Sequence, residues 1–149
     1  MIRYITIFLL ALIGTFIIDQ SIKMLFVEGG YYLKGSCIDL ELHYNRGVAF
    51  SMFAFLGDNL KWIQLFLVFG ILFFVFYEGY LKKYAFAIGL IIGGAISNLY
   101  DRFIHQGVVD YVAWHCGFNF AVFNYADVMI DLGVAIILLL SFLEKKDSN

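Results

Sequence analysis

The sequence contains no proline, few charged residues and only two cysteines. Without proline, no helix of this chain carries a proline kink. Charged residues make up 15% of the 149 positions, whereas soluble domains contain about 25%. The two cysteines, Cys37 and Cys116, are too few for a disulfide framework. We predict that both are free thiols; a single bridge is the alternative if both face an oxidising compartment.

Apolar residues are abundant instead. The chain is 62% hydrophobic and 19% aromatic, with a mean hydropathy of +0.85, whereas a soluble domain is about 45–50% apolar. This composition predicts an integral membrane protein, and the length of 149 residues predicts a single domain over 1–149. The formal charge of -2 is too small to indicate a nucleic acid or another polyanion as a partner.

Four apolar runs are each long enough, or nearly so, to cross a bilayer, which takes about 20 residues. We predict transmembrane spans at about 4–26, 62–80, 85–101 and 123–143, with extracytoplasmic segments at about 27–60 and 102–121. The residues from Leu81 to Tyr84 then form a short turn between two antiparallel spans. Four spans place both termini on one side, and the positive-inside rule makes that side cytoplasmic, because its short segments carry Arg3, Lys82, Lys83, Lys145 and Lys146.

The fold class that follows is mainly α and polytopic, with four transmembrane helices and a small extracytoplasmic β-sheet cradle after the first helix. Ile38, Leu40 and Leu42 alternate with polar residues and predict a strand. We expect the segment 31–33 to be its hairpin partner and the segment 45–47 to form a turn. In the third span, small residues recur every four positions and predict close helix packing: Gly89, Gly93 and Ser97.

Several polar residues in or beside the spans need an explanation, because ionisable groups are costly in a membrane. Asp19 and Lys23 are four residues apart, so they share a helix face and predict an ion pair. A second group follows the small residues of span three and comprises Asn98, Asp101 and Arg102. A third shares one face at the start of span four and comprises Asn124, Asp127 and Asp131.

Asp110 and Asp127 lie where apolar segments meet more polar ones, and the predicted topology places both at the same face of the membrane. Two carboxylates that share a site form a candidate acid/base pair. Asp127 alone is also explained as a helix-terminal acid. The histidines and cysteines match no zinc-ligand spacing, so we predict neither a metal nor a cofactor. The alternative function is a small transporter or proton-relay subunit whose acids line a polar path.

Five blocks of residues, in order along nearly the whole chain, resemble lipoprotein signal peptidase, the type II signal peptidase family of bacteria. The matching residues are Asp19, Gln20 and Lys23; Asn45, Gly47, Ala49 and Phe50; Gly93 to Ala95 with Asn98 to Arg102; Val108 to Tyr111; and Phe123, Asn124, Ala126 and Asp127. The family usually carries a proline where this chain has Ala121 and a small residue where it has Val48. Asp131 is not part of the family's motif.

The resemblance implies an aspartic endopeptidase of the bacterial inner membrane. Its substrates would be prolipoproteins whose cysteine carries a diacylglyceryl group, and it would cleave just before that cysteine. Asp110 and Asp127 would be the catalytic dyad. The residues near the substrate, or near the inhibitor globomycin, would be Asn45, Asn98, Arg102 and Asn124, and those in supporting roles would be Asp19, Lys23 and Asp101. We expect a monomer surrounded by membrane lipids, with no nucleic-acid partner.

Overall fold

The computed structural model describes residues 1–47 and 54–147. Ala49 and Phe50 of the second matching block, together with Val48, lie outside the described residues. Within the described residues, four long helices and two strands make up the fold, apart from a short 3₁₀ turn at Ala54–Leu56. In chain order they are α1 (Ile2–Val27), β1 (Ile38–Asn45), α2 (Asn59–Tyr77), α3 (Leu81–Ile104), β2 (Val108–Trp114) and α4 (Tyr125–Asp147).

All four helices are long and apolar enough to cross a membrane, which confirms the predicted class of a polytopic, mainly helical membrane protein. Helix α3 is central: it packs against α1, α2 and α4 and is largely buried within the bundle. The other three helices leave most of their apolar side chains exposed on the outside of the protein. Because lipid rather than water surrounds such helices, exposed apolar side chains are the expected surface.

The small residues of α3 let its neighbours approach closely, as predicted. A Cβ atom added to Gly93 would lie 2.6 Å from the backbone oxygen of Leu12 in α1. A Cβ on Gly94, which faces the other way, would lie 2.6 Å from the backbone oxygen of Ala126 in α4. Glycine is therefore required at both positions, and the start of α4 is held directly against α3.

The predicted turn between α2 and α3 lies in a different place. Helix α2 ends at Tyr77 and α3 begins at Leu81, but Tyr84 has non-helical φ/ψ angles of -120° and 19°, so the segment before it is a short helical turn separated from the rest of α3. The chain reverses at Gly79, whose φ of 71° is in the left-handed region. Glycine adopts this conformation without a Cβ penalty and commonly ends helices in this way, so the turn comes before the lysines.

The strand prediction was correct for β1 but wrong for its partner. β1 pairs antiparallel with β2, with Tyr44 opposite Val109 and Asn45 opposite Val108. The expected partner, segment 31–33, contributes only an isolated bridge from Leu33 to Leu40. β2 offers a longer apolar edge than the three residues 31–33, and its pairing carries Asp110 into the interior next to β1.

The prediction of free thiols was also wrong, because Cys37 and Cys116 form a disulfide. The strand register explains the pairing. Ile38, directly after Cys37, lies opposite Trp114, and the backbone N–H of His115 donates to the Cys37 carbonyl at 2.9 Å. The two cysteines therefore lie side by side where the strand pair ends, at the end remote from Asp110.

Candidate active site

Asp110 lies on β2, and its side chain is buried, with 2% of its surface exposed. One carboxylate oxygen accepts a hydrogen bond from Asn124 Nδ2 at 2.7 Å. The other accepts one from Asn45 Nδ2, at the end of β1, at 3.1 Å. Two amide donors therefore hold this carboxyl, and each comes from a different part of the fold.

Asp127 lies in the first turn of α4 and forms a reciprocal cap with Asn124. The backbone N–H of Asp127 donates to Asn124 Oδ1 at 2.9 Å, and the backbone N–H of Asn124 donates to Asp127 Oδ2 at 3.1 Å. This is the capping-box arrangement, which satisfies two otherwise unpaired N–H groups at a helix start. The helix-terminal role foreseen for Asp127 is thus present, and its other oxygen, Oδ1, remains turned towards α3.

Asn124 brings the two aspartates together. Its side chain is fully buried, and it contacts Asp110 through Nδ2 and Asp127 through Oδ1. The same Nδ2 also donates to the Val109 carbonyl at 3.2 Å and to Asn98 Oδ1 at 3.1 Å. One amide therefore fixes both carboxyl-bearing segments relative to each other.

A buried ion cluster lies behind the pair. Lys23 Nζ is 2.6 Å from Asp19 Oδ2 and 2.7 Å from Asp101 Oδ2, which confirms the predicted Asp19–Lys23 pair and adds a carboxylate from α3. Ser97 Oγ donates to Asp19 Oδ2 at 2.7 Å, and Gln20 Nε2 donates to Asp101 Oδ1 at 2.8 Å. Buried charges need this degree of pairing and hydrogen bonding to be tolerated.

The two carboxylates of the cluster also hold the backbone next to each candidate catalytic residue. Asp101 Oδ2 accepts a hydrogen bond from the Val109 N–H at 3.1 Å, directly before Asp110. Asp19 Oδ1 accepts one from the Ala126 N–H at 2.8 Å, directly before Asp127. The cluster is therefore a common anchor for the two segments that carry the pair.

Lys23 also determines which way the Asn98 side chain points. Lys23 Nζ donates to Asn98 Oδ1 at 2.9 Å, and an ammonium group can only donate. The amide oxygen of Asn98 must therefore face Lys23, and its NH₂ group faces Asp127, donating to Oδ1 at 2.8 Å. The charge on Lys23 thus fixes a donor on Asp127 through an intervening amide.

Arg102 lies on the other side of the site and ties α3 to two further segments. Its Nε donates to Gln64 Oε1 on α2 at 2.8 Å, and its terminal nitrogen donates to the carbonyl of Gly47. The guanidinium thereby holds the chain just after Asn45, the residue that donates to Asp110.

The aspartates open onto a cavity of about 770 Å³ between α2 and α4. Its lining combines polar side chains, among them Asn45, Asn98, Arg102, Asp110 and Asp127, with apolar ones such as Ile63, Leu67 and Val128. A cavity with both kinds of lining suits a ligand that has polar and apolar parts.

Burial, together with the neighbouring charge of Asp127, raises the pKa of Asp110 from its ordinary value of 3.8 to about 7. The amide donors Asn45 and Asn124 act in the opposite direction because they favour the ionised carboxylate. Burial also raises the pKa of Tyr111. Its neutral hydroxyl accepts a hydrogen bond from the Tyr125 N–H at 3.0 Å and helps to position the start of α4.

All nine residues singled out in the sequence as catalytic or supporting lie at this site, either on the cavity or in the cluster behind it. Sequence reasoning assigned no hydrogen-bonding role to Gln64, Ser97 or Tyr111, which complete the hydrogen bonding. Gln64 is the polar residue within an otherwise apolar stretch of α2, and that isolation was a usable signal. Within the described parts of the chain, no group of three or more histidine, cysteine or acidic side chains is arranged to hold a metal ion.

Comparison with known proteins gives the family. A sequence model of the family described as Signal peptidase (SPase) II matches residues 11–143. The chain belongs to the signal peptidase II family. It is 69% identical over 140 residues to a lipoprotein signal peptidase of Sulfurovum sp. (strain NBC37-1), covering 94% of this chain and 95% of that protein. It is 61% identical over 148 residues to the lipoprotein signal peptidase of Sulfurimonas denitrificans, covering 99% and 95%.

A solved structure described as a bacterial membrane enzyme has the same fold as this signal peptidase II family member. The TM-score is 0.81, and the match covers 95% of this chain and 91% of the other. A second such structure has a TM-score of 0.71, with 89% and 90% covered. Sequence identities are only 21% and 23%, so these likenesses establish the four-helix fold alone. Membership of a peptidase family does not favour the transporter or proton-relay alternative.

Proposed function

We propose that this chain removes signal peptides from lipid-modified prolipoproteins, with Asp110 and Asp127 as the catalytic dyad. The observation that carries the proposal is Asn124: its side-chain amide donates to the Asp110 carboxyl and its backbone N–H donates to the Asp127 carboxyl, and both aspartates line one cavity. The names of the relatives supply the substrate class, and a cavity lined by both polar and apolar side chains suits a peptide attached to lipid.

In the proposed reaction the two carboxyls share one proton near neutral pH. The ionised member takes a proton from a water molecule as that water attacks the scissile carbonyl. The neutral member donates its proton to the carbonyl oxygen, which stabilises the tetrahedral intermediate. Because the two groups interact, their titration belongs to the pair. The raised pKa of Asp110, about 7, supports a shared proton at this pH.

The other polar residues would hold this arrangement and receive the substrate. Asn45 and Asn124 keep Asp110 in place, and Asn98 does the same for Asp127. Arg102 retains N–H groups on the cavity wall that suit a carbonyl or phosphate oxygen. Asp19, Lys23 and Asp101 act through the backbone and are positioning residues.

The membrane topology, the cleavage position, the oligomeric state and the inhibitor are part of the same proposal. Both termini would be cytoplasmic, and the sheet and dyad would lie near the extracytoplasmic face of the inner membrane, where water reaches the site. Cleavage would occur just before the diacylglyceryl-modified cysteine, with the lipid chains lying among membrane lipids. Since one chain supplies the whole described site, the active form would be a monomer, and globomycin would inhibit it by occupying the cavity.

The test uses the full chain in lipid vesicles with a diacylglyceryl-modified prolipoprotein. Asp110→Asn and Asp127→Asn should each lower turnover by at least roughly 10²-fold, since general acid–base catalysis contributes about 10²–10⁴-fold. Glu28→Gln, which removes an exposed carboxyl after α1, is the matched control and should retain wild-type turnover. Near-normal cleavage by either dyad variant would refute the assignment. Proton flux through wild-type vesicles without cleavage would support the transport alternative.

A further inference from the structure

Asp131 is an acid on α4 to which the proposed reaction gives no role. It follows Asp127 by four residues, so the two side chains share a helix face. The α-helical rise places it about 6 Å further along the axis. Asp131 lines the same cavity as the dyad and is exposed. Within residues 1–47 and 54–147, no side chain or backbone group donates a hydrogen bond to its carboxyl.

The surroundings of Asp131 are apolar, which makes this lack of a donor notable. Leu67 on α2 and Val128 and Ile130 on α4 line the same cavity as Asp131. An acid within a transmembrane helix is costly unless it finds donors or water. Asp131 is open to the cavity, so water or a bound substrate there can supply the donor that the described residues do not.

The shape of the cavity limits what the substrate can offer there. Residues of α2 spaced three and four apart form one wall, namely Leu60, Ile63, Gln64 and Leu67. Asp127, Val128 and Asp131 form the opposite wall. A peptide that leaves the dyad along this groove therefore passes Asp131. An extended peptide has backbone N–H groups without partners, and these are costly within a membrane.

We propose that Asp131 binds the signal-peptide side of the substrate by accepting a backbone N–H about two residues before the scissile bond. An extended chain advances about 3.3 Å per residue, so about 6 Å corresponds to two residues. This proposal rests on the proposed function and on the proposed membrane orientation of the chain, in which α4 runs from the dyad towards the cytoplasm. Followed from the scissile bond, the signal peptide extends into the membrane in that same direction.

Two substitutions of Asp131 distinguish a hydrogen-bond acceptor from a side chain that only makes the cavity wall polar. Asp131→Asn keeps a carbonyl oxygen of the same size and position but is a weaker, neutral acceptor. Asp131→Leu has a similar volume and no acceptor. If Asp131 accepts an N–H, the loss of activity should be small for Asp131→Asn and large for Asp131→Leu.

The experiment compares a lipid-modified peptide substrate with two analogues, one N-methylated two residues before the scissile bond and one N-methylated five residues before it. In the wild type, the first methylation should lower kcat/KM roughly tenfold, the effect of losing a hydrogen bond to a charged group. Asp131→Leu should lower kcat/KM of the unmodified peptide by a similar factor, mainly through KM. N-methylation two residues before the scissile bond should then lower kcat/KM of Asp131→Leu only slightly further. N-methylation five residues before it should lower kcat/KM of the wild type and of Asp131→Leu by the same factor.

Equal sensitivity of the wild type and Asp131→Leu to the first methylation would overturn the proposal, as would unchanged kinetics in Asp131→Leu. If Asp131→Leu does not fold, Asp131→Asn replaces it, and its methylation effect should be about threefold, reflecting a neutral acceptor. A methylation effect in Asp131→Asn as large as in the wild type would also overturn it. Failure of the proposed function is distinguishable, because the wild type would then not cleave the unmodified peptide.

Discussion

Asp101 accepts a hydrogen bond from the backbone N–H of Val109 at 3.1 Å, directly before Asp110 in the chain. The same carboxylate oxygen is 2.7 Å from Lys23 Nζ. Asp101 therefore joins the buried ion cluster to the strand that carries one member of the proposed dyad. This contact means that the position of Asp110 depends on a residue that does not touch it.

We predict that Asp101→Asn lowers kcat by roughly 10²-fold while leaving the protein folded. The amide group has one acceptor oxygen where the carboxylate has two, so it cannot serve Lys23, Gln20 and Val109 together. Misplacement of a catalytic group by about 1 Å can cost this much. Turnover of a lipid-modified substrate measures the loss of kcat, and the thermal unfolding midpoint in detergent shows whether the protein remains folded. Full turnover would show that the Val109 contact is dispensable.

Removing the cation should destabilise the protein more than it disturbs the chemistry. Lys23→Met leaves Asp19 and Asp101 buried next to each other, and breaking a buried pair in this way typically costs about 3–5 kcal/mol. Adding Asp19→Asn to Lys23→Met should recover part of that loss, because one of the unpaired charges disappears. Lys61→Met is the control: Lys61 Nζ is 3.9 Å from the carboxyl of Asp58, which is exposed, and such a pair should contribute less than about 1 kcal/mol. Urea titration in mixed micelles compares the free energies of unfolding.

The pH profile of activity should report on Asp110. Its pKa is about 7, so activity should fall as the pH rises above neutrality and the shared proton is lost. The Asn45 amide favours the ionised form and lowers this pKa. Asn45→Ala should therefore raise it and move the alkaline limb of kcat upward by roughly 0.5–1 pH unit. A shift towards lower pH would contradict the role given to Asn45, whatever the change in absolute rate.

A single methyl group on α3 should disturb the start of α4. Gly94→Ala places a Cβ against the backbone oxygen of Ala126, which is next to Asp127. Overpacking of this kind typically costs about 1–3 kcal/mol, and we expect turnover to fall with stability. Gly14→Ala is the matched control in α1, because a Cβ there meets nothing within 4 Å. Equal effects of the two substitutions on the unfolding midpoint would refute the close-packing explanation.

The Cys37–Cys116 bond predicts that neither thiol reacts with iodoacetamide until a reductant is added. Mass spectrometry of the unfolded protein should then show two alkyl groups only after reduction. Replacing both cysteines by serine should lower the free energy of unfolding by about 2–4 kcal/mol, while Asp110, at the other end of the strand pair, keeps its activity. Alkylation without reductant would indicate free thiols.

Local patterns predicted the helices and much of the site, while contacts between distant segments were harder to foresee. Apolar length revealed four spans, and the four-residue spacing of Asp19 and Lys23 predicted their pair. β2 was missed because Val108 and Val109 are both buried, so the strand lacks the alternation of β1. The disulfide depends on the register between β1 and β2, which neither strand encodes alone. Asp101 joins Lys23 only when α1 and α3 pack.

The contacts of Asp19 also imply an order in which the site is assembled during synthesis. Asp19 neutralises Lys23 within α1 itself, so the first helix enters the membrane with its charges already paired. Asp101 joins only after α3 is made, and the Ala126 N–H reaches Asp19 from 107 residues further along the chain. Until α4 has been inserted, a nascent chain holds an anchored cluster but no dyad. If Asp110 and Asp127 form the proposed dyad, a ribosome-bound intermediate is proteolytically silent until the last helix, which carries Asp127, has been inserted.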